Sequence, residues 1–371
     1  MKKIIYAIST LSGTIIGVGL FSLPYITSKV GIWLTLGYFA GLGAITVIVH
    51  SFFGETAIRT PDFKRMPGFA KIYLGNWGRN IALISTILGL FAAILAYLIV
   101  GGEFLAELLS PFLGGGAIFY TLCYFLIGAA FIYFGIKAIV KVEFWGLVAF
   151  FVILIAMYLR AKNIINVENL FIGKMEIGNF FLPYGAVLFS IWGAALIPEI
   201  EEMLAAAPNR EKLLRIIIPI SILIPIIVYL FFIYLILGIT GEKTTESALV
   251  GLRNYLGNGV VSLALIFGLL TTFTSFLTLG LTLKKVFWYD LGLGKRISWF
   301  ITCFAPLFLY LIGIKSFIAV IGFAGGVMIA IEGILILLMH RKINPKKKFI
   351  TYPLIAVFLA GIIYSIAYFF H

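Results

Sequence analysis

"STLSGTIIGVGLFSLPY", residues 9–25, reads as the middle of a membrane-spanning helix, yet it carries Gly13, Gly17 and Gly19 and then Pro24. Glycine and proline are the residues least suited to a helix interior. In lipid, each unpaired backbone group costs several kcal/mol. Such a stretch either packs a neighbour through small residues, with Ser9, Gly13 and Gly17 as a small-xxx-small stripe, or it breaks so that its backbone can do a job.

The run sits in a chain of 371 residues that is 62% hydrophobic and only 12% charged. A soluble domain needs more polar side chains than that to cover its surface. Apolar runs of about 20 residues, enough to cross a hydrocarbon core roughly 30 Å thick, recur along the whole length. They fall at 4–28, 31–56, 80–109, 116–136, 143–159, 181–203, 214–240, 259–284, 297–313, 315–339 and 350–370. The expectation is an all-α polytopic membrane protein of about eleven spans, a single transmembrane domain over residues 1–371. The first run follows MKK and superficially resembles a signal peptide. It continues too far and lacks a small-residue cleavage site, so it reads as span one. Cys123 and Cys303 both lie in apolar runs and offer neither a disulfide nor a metal pattern. No cofactor is expected.

A formal net charge of +13 would suit a nucleic-acid binder if the charges clustered on a soluble face. They do not. With the N-terminus cytoplasmic, about three quarters of the 28 Lys and Arg fall on that side, as the positive-inside rule requires. Lys2 and Lys3, Arg59 to Arg79, Lys137 and Lys141, Arg210 to Arg215, Lys284 to Arg296 and Arg341 to Lys348 carry the bias. The excess is a topology signal with the lipid bilayer's anionic headgroups as neighbours, and nucleic acid is not an expected partner. An odd number of spans puts the C-terminus outside a cell membrane. Nothing in the sequence sets the oligomeric state, and a monomer is compatible with it.

The opening stretch has an echo. "TIIGVGL" at 14–20 aligns with "SIWGAAL" at 190–196, pairing Thr14 with Ser190, Ile15 with Ile191, Gly17 with Gly193, Gly19 with Ala195 and Leu20 with Leu196; Pro24 and Pro198 follow. The two copies fall in spans one and six. Five intervening crossings invert the second unit relative to the first, which gives inverted repeats at 4–159 and 181–339 and an extra helix at 350–370. Two inverted five-helix repeats, each opening with an interrupted helix, are a transporter plan. Half-helix amino ends there take an anionic group and freed carbonyls take a cation.

With these residues in view, the chain resembles the amino acid permeases of the amino acid–polyamine–organocation superfamily, which share the leucine-transporter-type fold. The closer likeness is to the amino acid/auxin permease and aromatic amino acid permease branch. "GTIIGVGLFSLPY" in span one, "GETAIRTPDFKRMPGFAKIYLGNWGRN" after span two, "AYLIVGGEFLAELL" in span three and "TTFTSFLTLGLTLKK" in span eight carry it. The resemblance implies a substrate site in which the unwound turn Ile16-Gly17-Val18-Gly19 holds a carboxylate through its amides. It implies that the backbone of Ile191, Trp192, Gly193 and Ala194 faces the amino group, with the Trp192 indole as a lid. Phe189, Trp192 and Tyr97 would line an apolar pocket that favours neutral substrates, large or aromatic ones among them.

Uphill import needs a driving ion. One cation crossing with the membrane potential supplies about 2.3 kcal/mol per 100 mV. Thr271, Thr274 and Ser275 stand at i, i+3 and i+4, so their hydroxyls share one helix face. The resemblance implies a sodium site between them and the carbonyls of Gly13 and Ile16. Proton coupling is the alternative, with Glu199 beyond the span-six proline and Glu103 in span three as the candidate carboxylates; intramembrane ionisable residues are functional candidates by default. Glu332 and His50 read as packing or gating residues. Residues 57–79 are expected to form a short interfacial helix, with Glu55, Arg59, Glu201 and Glu202 near an inner gate.

The acids are scattered, and His50, His340 and His371 are far apart in sequence, so an enzyme is not expected. A channel, or a carrier of another small amine or nucleobase on the same fold, competes. The sequence favours a cation-coupled importer of neutral amino acids, sodium being the favoured ion. Gly19→Leu is expected to block substrate while leaving the chain folded.

Overall fold

Span one opens between its two halves, and the rest of the architecture is arranged around that gap. A computed structural model describes residues 2–61, 64–135, 139–174, 176–205, 207 and 209–370. In chain order the helices are α1 (Lys2–Ile15), α2 (Gly19–Val30), α3 (Ile32–Ile58), α4 (Met66–Leu113), α5 (Ala117–Phe134), α6 (Ile139–Ala161), α7 (Leu182–Ile191) and α8 (Ile197–Met203). They continue with α9 (Arg210–Thr240), α10 (Arg253–Leu256), α11 (Asn258–Lys285), α12 (Lys295–Leu311), α13 (Phe317–Phe323), α14 (Ala330–Ile343) and α15 (Lys348–Phe370). Among the described residues eight helical segments are long and apolar enough to cross a bilayer, and the bent α1–α2 pair makes a ninth. Helices α6 and α12 stand at the fifth and ninth places of the expected order. The side chains of Lys2, Lys137 and Lys141, used above to orient the chain, lie outside the described residues, as do Asp62 and Phe63.

The break in span one follows from its glycines, each of which lowers helix preference by roughly 1 kcal/mol. The last regular bond runs from the Ile16 amide to the Ser12 carbonyl (3.1 Å). Helix α2 then starts with tight turns, Leu20 to Gly17 (3.2 Å) and Phe21 to Val18 (3.0 Å), and leaves α1 at 58°. Span six breaks at the aligned place. Helix α7 stops at Ile191, Trp192 is extended (φ −84°, ψ 129°), and a short 3-10 turn over Ala194–Leu196 leads into α8. The two prolines act differently. Pro198 sits in the first turn of α8, where no amide is missed, whereas Pro24 lies inside α2 and removes one ladder bond.

The helices sort into two packed groups. Helices α1, α2, α3 and α7 each pack on α9, and α2, α3 and α7 on one another, while α4 packs on α5, α11 and α12, and α11 on α6. In span numbers these are one, two, six and seven against three, four, eight and nine, so each group draws equivalent helices from both inverted repeats. Span ten (α13, a π-turn over Ala324–Ile329, and α14) touches both groups through α4 on one side and α3 and α7 on the other. Its π-turn fits closely because Gly185 and Gly325 lack side chains: a Cβ on Gly325 would collide with the Gly185 carbonyl.

Within the expected 57–79 stretch the chain is helical over 66–74. Gly75, at φ +78°, then turns the chain into the spanning part of α4, a backbone conformation that glycine adopts without strain.

Candidate substrate site at two opposed helix breaks

Each break sets a short stretch of unpaired backbone inside the protein, and tyrosine hydroxyls meet the first. The Val18 amide donates to the Tyr97 hydroxyl over 3.2 Å. That hydroxyl lies 2.7 Å from where a Cβ on Gly17 would stand, so any larger residue at 17 would displace it. The Gly17 amide lies toward the Tyr229 hydroxyl. Tyr229, fully buried on α9, is itself within donating distance of the Ile15 carbonyl (2.7 Å) and the Ser190 carbonyl (2.8 Å). One hydroxyl therefore bridges the carboxyl ends of α1 and α7, the last turns before both breaks. Those ends carry partial negative charge, and the amino end of α2 carries partial positive charge.

At the second break the Gly193 amide donates to His50 Nε2 over 3.0 Å. A backbone amide can only donate, so Nε2 is the bare nitrogen and the fully buried imidazole is neutral, with its proton on Nδ1. The Trp192 indole Nε1 donates to Glu332 Oε2 over 2.9 Å. Its ring stands edge-on to His50 (centroids 4.7 Å apart, 80°) and to Phe358 (6.4 Å). The indole thus contacts spans two, ten and eleven. These contacts do not include the first break, where a lid would lie.

The two breaks back onto each other. A Cβ on Gly19 would collide with Ser190 Oγ and come within 3.1 Å of Phe189 Cδ1. A Cβ on Gly193 would come within 2.9 Å of Ile15 and 3.0 Å of Leu11. The structure therefore brings Tyr97 to Gly17 and Val18, and sets Gly19 against Phe189 and Ser190 and Gly193 against Leu11 and Ile15, while the Trp192 indole turns to His50, Glu332 and Phe358. Gly19 itself is a helix–helix contact, which changes the expected outcome of Gly19→Leu from a blocked site to a disrupted fold.

The expected sodium donors are divided between the two packed groups. Gly13 and Ile16 belong to span one, against α9, while Thr271, Thr274 and Ser275 lie on α11, against α4, α5, α6 and α12. The Thr271 hydroxyl donates to the Phe267 or Gly268 carbonyl (3.1 Å each) and Thr274 to Thr271 (3.1 Å). This back-bonding satisfies each proton within the helix and leaves oxygen lone pairs for another partner. Among the described residues no cluster of His, Cys, Asp or Glu is placed to hold a metal ion.

Of the two candidate carboxylates, Glu199 lies in the first turn of α8 with Oε2 buried and without a hydrogen-bond partner. Glu103 lies beside Ser247 and Glu246, away from the breaks. Nearer the N-terminal side, Glu55 meets His340 Nε2 (2.8 Å), Lys347 Nζ (3.4 Å) and Arg215 (3.6 Å), and Glu201 pairs with Arg210 (2.8 Å). These contacts join spans two, six, seven and ten and the turn just before α15.

Of three residues at the breaks, the sequence reading took His50 and Glu332 only as packing or gating residues and missed Tyr229. His50 and Glu332 carried a usable signal, being ionisable side chains inside spans; they stood below Glu199 because neither neighbours a helix break in sequence. Tyr229 gave no signal, since nothing in "IPIIVYLFFIYL" separates it from Tyr234.

The sequence profile of the tryptophan/tyrosine permease family matches residues 1–368. The "Tyrosine-specific transport system 1" of Haemophilus influenzae is 26% identical over 348 residues, 88% of this chain and 84% of that one. The "Glutamine transporter 2" of Aliivibrio fischeri is 22% identical over 329 residues, 86% of this chain and 84% of that one. Among solved structures, an inward-facing conformation of Mhp1 superposes with a TM-score of 0.71 at 14% identity, covering 98% of this chain and 88% of its own. Mhp1, a nucleobase-cation-symport-1 family transporter, in a closed conformation with bromovinylhydantoin bound, gives 0.65 at 15% identity, covering 96% of this chain and 91% of its own. These superpositions show the shared fold of two inverted five-helix repeats with broken helices one and six.

Proposed function

This chain belongs to the tryptophan/tyrosine permease family, and on that footing we propose that it is a secondary carrier importing aromatic amino acids across the cell membrane by cation symport. The observation that carries the reading is the pair of opposed breaks, with tyrosine hydroxyls on the amides of the first and the His50 imidazole on the Gly193 amide of the second. A zwitterion offers a carboxylate that would exchange for the tyrosine hydroxyls at the Gly17 and Val18 amides. Its ammonium group would meet the carbonyl ends of α1 and α7. The apolar rims at Phe189 and Tyr97 suit a side chain with a large hydrophobic face. The name of the Haemophilus influenzae relative supports tyrosine; a nucleobase-like ligand has only the shared fold in its favour.

Sodium remains a reading of the coupling ion because the α11 hydroxyls keep lone pairs. The charge distribution supports a cytoplasmic N-terminus. The test is uptake of labelled tyrosine and tryptophan into proteoliposomes. Saturable uptake with accelerated exchange against internal substrate supports a carrier; linear, non-exchanging flux would indicate a pore. Uptake unchanged when sodium is replaced by choline at fixed pH would remove sodium.

A further inference from the structure

Glu332 is a carboxyl group in the middle of span ten, one residue beyond Ile331 and three beyond the π-turn. Its hydrogen bond comes from the neutral Trp192 indole. From α3 the titratable group facing this assembly is His50, and its bond from Gly193 keeps it neutral. From α15 the neighbour is Phe358, and among the described residues no Lys or Arg pairs with Glu332, from α4 or any other element packed against α14. An ionised carboxylate inside a membrane protein needs a countercharge, because one neutral donor does not replace its hydration. Among the described residues no ion pair supplies one. The charge must come from a mobile cation, and a proton is the one that needs no coordination cage.

We propose that Glu332 is the coupling-proton site of this carrier, with Trp192 conveying its charge state to the break in span six. The inference rests on the carrier reading above and commits it to the proton. One proton binds the Glu332 carboxylate to give the neutral acid and leaves again on the other side of the membrane; no other bond forms or breaks. Trp192 directly precedes Gly193, so a change in the indole–carboxylate bond acts on the residue where α7 ends. Glu332 touches Trp192 through one bond, and that bond crosses from span ten to the broken helix.

The test uses the full-length protein in sodium-free proteoliposomes with a pH-sensitive dye in a weakly buffered lumen and the membrane potential clamped. Wild type is expected to acidify the lumen as tyrosine or tryptophan enters. Glu332→Gln should lower the proton-to-substrate ratio about tenfold, and Glu332→Asp should restore most of it. A Glu332→Gln ratio equal to wild type, or wild-type uptake of substrate with no acidification of the lumen, overturns the proposal. Should Glu332→Gln fail to reconstitute, Trp192→Phe keeps the carboxylate but removes its bond. Its ratio should fall between wild type and zero, and an unchanged ratio overturns the proposal. If neither tyrosine nor tryptophan enters, the substrate reading fails separately, and the same dye assay is run with the other amino acids. A proton signal that Glu332→Gln abolishes then supports the assignment, and its absence with all of them overturns it.

Discussion

The Tyr97 hydroxyl accepts the amide proton of Val18 over 3.2 Å, across 79 residues of chain. The amide that the resemblance reserves for a substrate carboxylate is thus already paired in this structure. A hydroxyl that accepts from an amide still has a proton to give, and a bound carboxylate is the acceptor that would take it. Tyr97→Phe should weaken substrate binding about fivefold, roughly 1 kcal/mol, measured by equilibrium binding in detergent. Unaltered affinity would remove Tyr97 from the site.

Tyr229 bridges the carbonyl ends of α1 and α7. Removing its hydroxyl leaves two buried carbonyls short of a donor, at a cost of about 1–3 kcal/mol. Tyr229→Phe should therefore lower the thermal midpoint by several degrees while retaining the ring packing. An unchanged midpoint would mean that the bridge contributes nothing to stability.

Gly19 tests whether a helix contact or a ligand approach governs that position. An added Cβ meets Ser190 and Phe189, and overpacking of this kind costs about 1–3 kcal/mol. Gly19→Ala should lower the thermal midpoint even without substrate, and Gly19→Leu should reduce the yield of folded protein. Fully stable Gly19→Leu that merely fails to bind would restore the simpler blocked-site account.

The Glu55 cluster separates a buried partner from an exposed one. The His340 side chain is 0% exposed and stacks on Phe52 with ring centroids 3.9 Å apart, whereas the Arg215 side chain is 62% exposed. Arg215→Gln should change stability by under ~1 kcal/mol, as exposed ion pairs do. His340→Ala should cost about 2 kcal/mol or more, through the cavity it leaves and the loss of the shortest hydrogen bond to Glu55. Chemical or thermal unfolding of the two variants gives the comparison, and equal effects would contradict it.

Both breaks were legible because they are local events: Gly17 and Gly19, and Gly193 with Pro198, weaken a helix wherever it sits. The inversion was legible too, since counting apolar runs between the two copies requires no contact information. Trp192 was found as a residue, but its partners were not. Helical periodicity tells which side a residue shares with its i+4 neighbour and says nothing of which helix comes to lie against that side.

The order of the spans, the two places where the helix cannot continue and the sidedness bias of the charges are written in the chain itself, because each depends on neighbours in sequence or on the thickness of a bilayer. Which groups meet the exposed backbone is decided only when helices distant in sequence pack. Tyr97 reaches Val18, Tyr229 ties Ile15 to Ser190, His50 takes the Gly193 amide, and Glu332 takes the Trp192 indole. Those pairings require close approach of α4, α9, α3 and α14 to the breaks, and that approach is fixed by the packing of whole helix faces.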